Sequence, residues 1–294
     1  MKKFYGSIPA VITPFSSNFE IDYEALSRHI NFLIEGGSNG IVSCGTTGES
    51  PTLSHEEHKA VTEFIIKKVK KRVPVMAGCG SNSTAETVDL VKHALSVKAN
   101  AVLLVSPYYN KPTQIGLYNH FKTVSENCPN IPLYLYNIPG RSVVNINAET
   151  IKQLIKFKNI IGIKDATGDL NVPLELRQLC GKNFIQISGE DSTFLAHLAS
   201  GGVGCISVTA NIAPHLVSKI FTLWKKRKIN EAMKLNQKLF NLNKVLFLET
   251  SPAPVKYALN KLKKCENILR LPMVTVSTKT QNKIDMALVE LGLS

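Results

Sequence analysis

Short apolar runs alternate with longer amphipathic segments along most of this chain of 294 residues. The run from Ala101 to Val105 is typical, because it contains no polar residue. Such strands are buried on both faces, as in parallel sheets that helices cover. Eight strands, each followed by a helical pattern, favour closure into a (β/α)8 TIM barrel over an open sheet. We predict these strands at residues 7–13, 40–44, 74–78, 101–106, 132–137, 160–164, 184–189 and 204–208.

The segments between the predicted strands have the pattern of amphipathic helices. Apolar residues recur at helical spacing at Val88, Val91 and Leu95, and again at Val217, Ile220, Phe221 and Trp224. Ser54 and Ser83 each stand three residues before a glutamate, as helix-capping serines do. We expect the apolar stripes to pack on the barrel.

The strand signal ends near Lys228, and helical patterns predominate from there onward. They run through Glu249, from Pro252 to about Leu262 and from about Ser277 to Leu291. A barrel of this type takes about 250 residues. The sequence therefore predicts a catalytic barrel over residues 1–227 and a small C-terminal helical region over residues 228–294.

Composition argues against several classes of protein. No apolar run approaches the roughly 18 residues of a membrane span, and no signal-peptide stretch follows Met1. The six cysteines are scattered singly, which is typical of reduced structural thiols. We therefore expect a cytoplasmic protein without a membrane segment.

The chain is basic, with 35 lysines and arginines against 22 acidic residues and a net charge of +13. Such a charge can attract nucleic acid or anionic metabolites. The lysine cluster at residues 67–71, however, follows the apolar stripe of one segment and fits the solvated last turn of a helix. No nucleic-acid partner is expected.

Lys164 ends the apolar run Ile160-Ile161-Gly162-Ile163. In a barrel of this kind the active site lies at the carboxyl ends of the strands. A lysine there is held where water is scarce, which favours the uncharged, nucleophilic amine that forms an imine with a ketone. The alternative is a structural ion pair with Asp165, although neighbouring side chains on a strand point to opposite faces.

Other reactive groups are predicted at the same end of the barrel. Tyr136 ends the preceding strand and can transfer protons, while Thr46, Thr47 and Tyr109 can continue a relay of hydroxyl groups. A buried structural tyrosine is the alternative for Tyr136.

Two further features suit carboxylates. Gly45-Thr46-Thr47-Gly48 offers backbone amides and hydroxyl groups to an anion, and the guanidinium of Arg141 can bind a second carboxylate. The sequence has no complete dinucleotide fingerprint and no phosphate loop, and the spacing of His55 and His58 does not fit a zinc-protease helix. No cofactor or metal is expected.

These segments together resemble the dihydrodipicolinate synthase family, within the pyruvate-dependent class I aldolases related to N-acetylneuraminate lyase. The likeness covers essentially the whole chain. It also includes Gly6-Ser7-Ile8, Ser188-Gly189-Glu190-Asp191, Ile206-Ser207-Val208-Thr209-Ala210-Asn211 and Leu269-Arg270-Leu271-Pro272-Met273.

The resemblance implies a condensation of pyruvate with L-aspartate 4-semialdehyde to give 4-hydroxy-tetrahydrodipicolinate, the first committed step of the diaminopimelate and lysine pathway. Lys164 would form the Schiff base, Tyr136 would transfer protons, and Thr46 and Tyr109 would complete the relay. Tyr109 would come from a neighbouring subunit of a homotetramer built as a dimer of dimers. Substrate-binding positions implied in the same way are Thr47, Ile206, Arg141 and Gly189.

Two residues favour the synthase over a sialic-acid lyase or a keto-deoxy-sugar aldolase. The lyases usually lack an arginine at the position of Arg141, and they commonly have serine at that of Thr46. A regulatory barrel without turnover is an alternative of another class, because fold does not determine function. The presence of every relay residue disfavours it.

The resemblance also implies a feedback site for L-lysine. Pro51 stands where the family usually has a small alanine. We expect this difference to affect the affinity for L-lysine more than the presence of the site. Capping and solvation of a helix is the alternative for His55 and His58. The residues that match the effector site are Ser50, Pro51, His55, His58, Asn82, Glu86 and Tyr108.

Overall fold

A computed structural model describes residues 4–293. All eight predicted strands are present, so that prediction is confirmed, although most are shorter than predicted and the sixth extends to Asp165. The strands are β1 (Gly6–Pro9), β2 (Ile41–Ser43), β3 (Val75–Gly78), β4 (Ala101–Val105), β5 (Leu133–Asn137), β6 (Ile160–Asp165), β7 (Ile185–Ser188) and β8 (Gly204–Ser207).

The strands form one eight-stranded sheet in the order β1-β8-β7-β6-β5-β4-β3-β2. The pairings from β3 to β8 are parallel. A parallel bridge joins Ala10, directly after β1, to Val42 of β2. β1 and β2 stand at the two ends of that order. The fold is a (β/α)8 barrel, as predicted.

Helices follow the strands in sequence. Ser54 caps its helix with a reciprocal capping box with Glu57, and Ser83 accepts a hydrogen bond from the backbone N–H of Glu86. The helices are α1 (Tyr23–Glu35), α2 (His55–Val69), α3 (Thr84–Ser96), α4 (Gln114–Asn127), α5 (Pro139–Ser142), α6 (Ala148–Leu154), α7 (Asn171–Cys180), α8 (Phe194–Ala199), α9 (Pro214–Lys225), α10 (Ile229–Lys238), α11 (Phe240–Val245), α12 (Ala253–Lys261) and α13 (Thr278–Glu290).

The chain divides into two compact units. Within the described residues, the first comprises residues 4–5 and 74–206, and the second comprises residues 6–73 and 207–293. The proposed boundary between residues 227 and 228 stays a prediction. The C-terminal helices α10 to α13 are present, and α11 ends at Val245, before the predicted Glu249.

The core of the first unit lies between its strands and its helices. Val91 of the predicted α3 stripe is fully buried, whereas Leu95 is exposed, so the stripe is narrower than the spacing suggests. Gly162 of β6 has a packing reason, because a Cβ atom there would meet the Ile185 carbonyl oxygen and the Tyr134 ring.

The second unit buries polar groups as well as apolar ones. His29 of α1 makes a 2.9 Å hydrogen bond to Asn211, and burial lowers the pKa of this histidine to about 4. Val217 and Ile220 of the predicted α9 stripe are buried, while Phe221 and Trp224 are partly buried.

Within residues 4–293, none of the six cysteines forms a disulfide bond, which agrees with the prediction of reduced thiols. Within residues 4–293, none of the helices combines the length and the apolar character needed to cross a bilayer.

Candidate active site

Lys164 and Tyr136 lie side by side near the carboxyl ends of β6 and β5. The strand register pairs the two residues directly, and the Lys164 Nζ atom lies 4.0 Å from the centroid of the Tyr136 ring. Both side chains are buried, with 8% of Lys164 and 5% of Tyr136 exposed. Within residues 4–293, the Lys164 side chain makes no hydrogen bond or ion pair, so the alternative of a structural pair with Asp165 is not found. A buried amine next to a phenol can attack a ketone and exchange protons with its neighbour.

Gly189 leaves room for the lysine. A Cβ atom at this position would lie 2.9 Å from the Lys164 Cε atom and 2.6 Å from the Ala166 Cβ atom. The Gly189 N–H donates a 2.6 Å hydrogen bond to the Asp165 carbonyl oxygen, which holds the two chain segments together. Gly189 therefore allows close packing around Lys164, a role that the sequence alone did not indicate.

Two acidic groups lie near Lys164 in the first unit. The Asp165 carboxylate accepts a 2.7 Å hydrogen bond from Thr167, and burial raises its pKa to about 6 against the effect of hydrogen bonds from Thr167 and Asn137. Burial also raises the pKa of Glu190, and the negative charge of Asp191 acts in the same direction. Sequence reasoning considered Asp165 only as an ion-pair partner and gave Glu190 no role.

Arg141 lies in the short helix α5, directly after β5, with an exposed side chain. The backbone around it is fixed by Asn137, whose side chain donates to Asn145 at 2.7 Å and accepts from the Ile146 N–H at 3.0 Å. Arg141 thus lies in a tethered segment, and its side chain is exposed to solvent.

Tyr109 follows β4 and is the most exposed of the predicted relay residues, at 88%. Its φ of 71° is uncommon for a residue with a side chain. The next residue, Asn110, donates a 2.9 Å hydrogen bond to the Asn82 carbonyl oxygen, which anchors the turn. A single chain therefore does not bury Tyr109 beside Lys164 and Tyr136.

Thr46 and Thr47 lie in a 3-10 turn directly after β2, in the second unit. Thr47 is buried and Thr46 is partly buried. The turn is closed by a 3.0 Å hydrogen bond from the Gly48 N–H to the Gly45 carbonyl oxygen, and Thr13 donates to the Gly48 carbonyl oxygen at 2.7 Å. The predicted glycine-flanked turn is present.

The remaining predicted residues are divided between the units. Ile206 is buried in β8. Of the residues proposed for the lysine effector site, four lie in the second unit and three in the first. In the second unit His58 is buried, whereas Pro51 and His55 are exposed. In the first unit the Glu86 carboxylate accepts a hydrogen bond from the Ser81 hydroxyl group. The members of these two groups are Ser50, Pro51, His55 and His58, and Asn82, Glu86 and Tyr108.

Sequence reasoning missed a buried ion pair between Glu49 and Lys256 in the second unit. Glu49 follows the two threonines, and Lys256 lies in α12. A lysine within the apolar segment Ala253–Lys261 was the available signal, but it does not identify the partner.

Comparison with known proteins agrees with this architecture. The family model described as "Dihydrodipicolinate synthetase family" matches residues 3–291. The 4-hydroxy-tetrahydrodipicolinate synthase of Bradyrhizobium diazoefficiens is 50% identical over 291 residues, which cover 99% of this chain and 98% of that protein.

Solved structures are similar over the same length. The chloride-inhibited dihydrodipicolinate synthase of Acinetobacter baumannii, complexed with pyruvate, has a TM-score of 0.96 and 41% identity, covering 99% of this chain and 100% of that one. The enzyme of Cyanidioschyzon merolae with lysine bound has a TM-score of 0.95 and 32% identity, covering 99% of both chains. The chain belongs to the dihydrodipicolinate synthetase family.

Proposed function

We propose that the protein condenses pyruvate with L-aspartate 4-semialdehyde, through a Schiff base on Lys164, to give 4-hydroxy-tetrahydrodipicolinate. The observation that carries the proposal is the buried Lys164 amine, which has an aromatic face at 4.0 Å and no carboxylate partner within the described residues. Membership of the family and the names of its relatives support the choice of substrates.

The first chemical step is attack of the Lys164 amine on the keto carbon of pyruvate. Loss of water from the carbinolamine gives the imine, and removal of a methyl proton gives an enamine that attacks the aldehyde. Tyr136 is the proposed proton donor and acceptor because its ring contacts Lys164. The condensation forms one carbon–carbon bond. The amino group of the aldehyde substrate then attacks the imine carbon, which closes the ring and releases the Lys164 amine.

Thr46 and Tyr109 are proposed to complete the proton relay, and Thr47 and Ile206 to line the pyruvate site. For the threonines, the proposal rests on the sequence resemblance and on their position directly after β2. For Tyr109 the high exposure supports a role in the site of a second copy, as in the proposed homotetramer.

Arg141 is proposed to bind the carboxylate of the aldehyde substrate. An exposed guanidinium in a tethered short helix suits recruitment of a charged molecule, because its donors fit a carboxylate in pairs. Arg141→Ala should raise the KM for the aldehyde and leave imine formation with pyruvate unchanged. Equal loss of both would contradict the assignment.

L-Lysine is proposed as a feedback inhibitor, since a relative's structure carries bound lysine. Inhibition by millimolar L-lysine that His55→Ala or His58→Ala weakens would support the site, and an enzyme insensitive to L-lysine would refute it. A cytoplasmic location is proposed as well.

Borohydride reduction in the presence of pyruvate tests the central step. The treatment should attach the three-carbon unit to Lys164, as mapped by peptide mass spectrometry. Lys158→Arg, at an exposed position before β6, should be labelled normally, and Lys164→Arg should not be labelled. A label on another lysine would refute the assignment. An assay with both substrates, with sialic acid as the control, then separates the synthase from the lyase and from a barrel without turnover.

A further inference from the structure

The second unit contains a fully buried ion pair that the proposed chemistry does not use. Lys256 and Glu49 form this pair with side chains that are 0% and 1% exposed. The Lys256 Nζ atom also donates a 2.8 Å hydrogen bond to the Ile268 carbonyl oxygen and lies 4.0 Å from the centroid of the Phe15 ring.

Arg270 extends this pair into a network. Its backbone N–H donates to the Glu49 carboxylate at 3.1 Å, and its guanidinium makes two 2.6 Å bonds to Glu57, at the start of α2. The same guanidinium donates to the carbonyl oxygens of Thr52 and Phe19. Glu49 is thus held on both sides by groups from the C-terminal part of the chain.

Glu49 is directly joined to the turn that carries Thr46 and Thr47. Its backbone N–H donates a 3.1 Å hydrogen bond to the Thr46 carbonyl oxygen. Its φ of 52° lies in the left-handed region, which is uncommon for a residue with a side chain. The side-chain network of Glu49 therefore fixes the backbone at the end of the threonine turn.

A buried ion pair is a poor way to gain stability, because the cost of removing two charges from water offsets most of their attraction. In some proteins, buried ion pairs instead serve to specify one conformation. Here the ion pair would specify the conformation of the turn that carries Thr46 and Thr47, whose hydroxyl groups and amides need a defined position.

We propose that the ion pair of Glu49 and Lys256 positions Thr46 and Thr47 for pyruvate binding and proton transfer. Glu49 and Lys256 are then positioning residues, which act through the turn and do not touch the substrate. The inference rests on the proposed function, because it assigns the two threonines to the pyruvate half of the reaction.

Lys256→Met tests this inference, since it removes the ammonium group and keeps an apolar side chain of similar length. The variant should fold, as judged by circular dichroism, with a kcat lowered at least tenfold and a KM for pyruvate raised severalfold. The KM for the aldehyde should not change, because the proposed function assigns the aldehyde's carboxylate to Arg141 and not to the threonine turn. Glu49→Gln keeps an acceptor for the Arg270 N–H and should show the same pattern more weakly. If Lys256→Met does not fold, Glu49→Gln provides the test.

Lys261→Met is the matched control, because Lys261 lies in the same helix and pairs with Asp285 at the surface at 3.2 Å. It should leave all kinetic constants unchanged. Folded Lys256→Met and Glu49→Gln variants with the kcat and pyruvate KM of the parent would overturn the positioning role, as would equal increases in both KM values. The absence of a borohydride label on Lys164 of the parent chain would refute the proposed function itself. A labelled parent with unaffected Lys256→Met and Glu49→Gln variants would refute only the positioning role.

Discussion

Two buried lysines of this protein have similar surroundings and different partners. Lys164 and Lys256 each place the Nζ atom 4.0 Å from an aromatic centroid, that of Tyr136 and that of Phe15. Lys256 also has a carboxylate and a carbonyl oxygen as partners, whereas within residues 4–293 Lys164 has neither.

The difference shows that burial and an aromatic neighbour do not define a nucleophilic lysine. Burial lowers the pKa of Lys256, and the charge of Glu49 acts in the opposite direction. Even an uncharged Lys256 amine would be enclosed by its partners, with no exposed surface from which a ketone could approach. The missing polar partners of Lys164 are therefore the feature that indicates chemistry, because a buried amine without them has no structural use.

The same substitution at the two lysines should differ in its effect on stability. Lys164→Met removes the proposed nucleophile, so turnover should fall at least about a thousandfold. Steady-state assays with both substrates measure this loss. Lys164→Met should keep the parent's unfolding free energy to within about 1 kcal/mol, because no partner loses a bond. Residual turnover above one tenth of the parent's would contradict imine catalysis at this residue.

Lys256→Met should lower stability in addition to its effect on kcat and on the KM for pyruvate. It leaves the Glu49 carboxylate buried without its counterion, a change that costs about 3–5 kcal/mol in comparable sites. Urea unfolding of the parent, Lys164→Met and Lys256→Met measures the unfolding free energy of each protein. Equal unfolding free energies for the two variants would remove the distinction between a paired and an unpaired lysine.

Sequence reasoning succeeded where local composition decides the structure. Strands buried on both faces must be apolar throughout, so the run at Ala101–Val105 reveals its strand without any knowledge of its neighbours. The position of Lys164 at a strand end follows from the same pattern, and the barrel then defines the end at which the site is built.

The partners of buried polar groups were beyond that reasoning. Glu49 and Lys256 are far apart in the sequence, and nothing in either local pattern selects the other residue. The close approach of Gly189 to the Lys164 side chain likewise depends on how β6 and β7 pair, which is known only once the strand register is known.

Asp165 provides a test of the strand that carries Lys164. Its carboxyl group binds a proton up to about pH 6 in the folded chain and only up to about pH 4 in the unfolded chain. The folded state therefore holds more protons between these values, so stability should fall as the pH rises from about 4 to 6 and stay lower at neutral pH.

Asp165→Asn should remove that pH-dependent loss and raise the unfolding free energy at pH 7 by up to about 3 kcal/mol. His29 and His120, whose pKa values burial lowers to about 4, act with the opposite sign in this range, so the variant must be compared with the parent at each pH. Chemical unfolding between pH 4 and 7 measures the difference. Parallel curves for the two proteins would show that Asp165 does not titrate in this way.

Tyr109→Phe should change stability less than Lys164→Met, Lys256→Met or Asp165→Asn. The side chain is 88% exposed in the single chain, so losing the hydroxyl should change the unfolding free energy by less than about 0.5 kcal/mol. Turnover should fall less than it does on losing a direct proton donor, by about tenfold to a hundredfold.

Mixing two inactive or impaired chains tests whether Tyr109 serves a second copy. In an assembly of Lys164→Met and Tyr109→Phe chains, a site with an intact Lys164 can receive an intact Tyr109 only from the neighbouring chain. Exchange of subunits between the two variants should then raise turnover above that of the Tyr109→Phe protein alone, per intact Lys164. If Tyr109 acts within its own chain, every site with Lys164 lacks the hydroxyl group, and mixing can restore nothing. An unchanged rate after verified exchange would therefore assign Tyr109 to its own subunit or remove it from the relay.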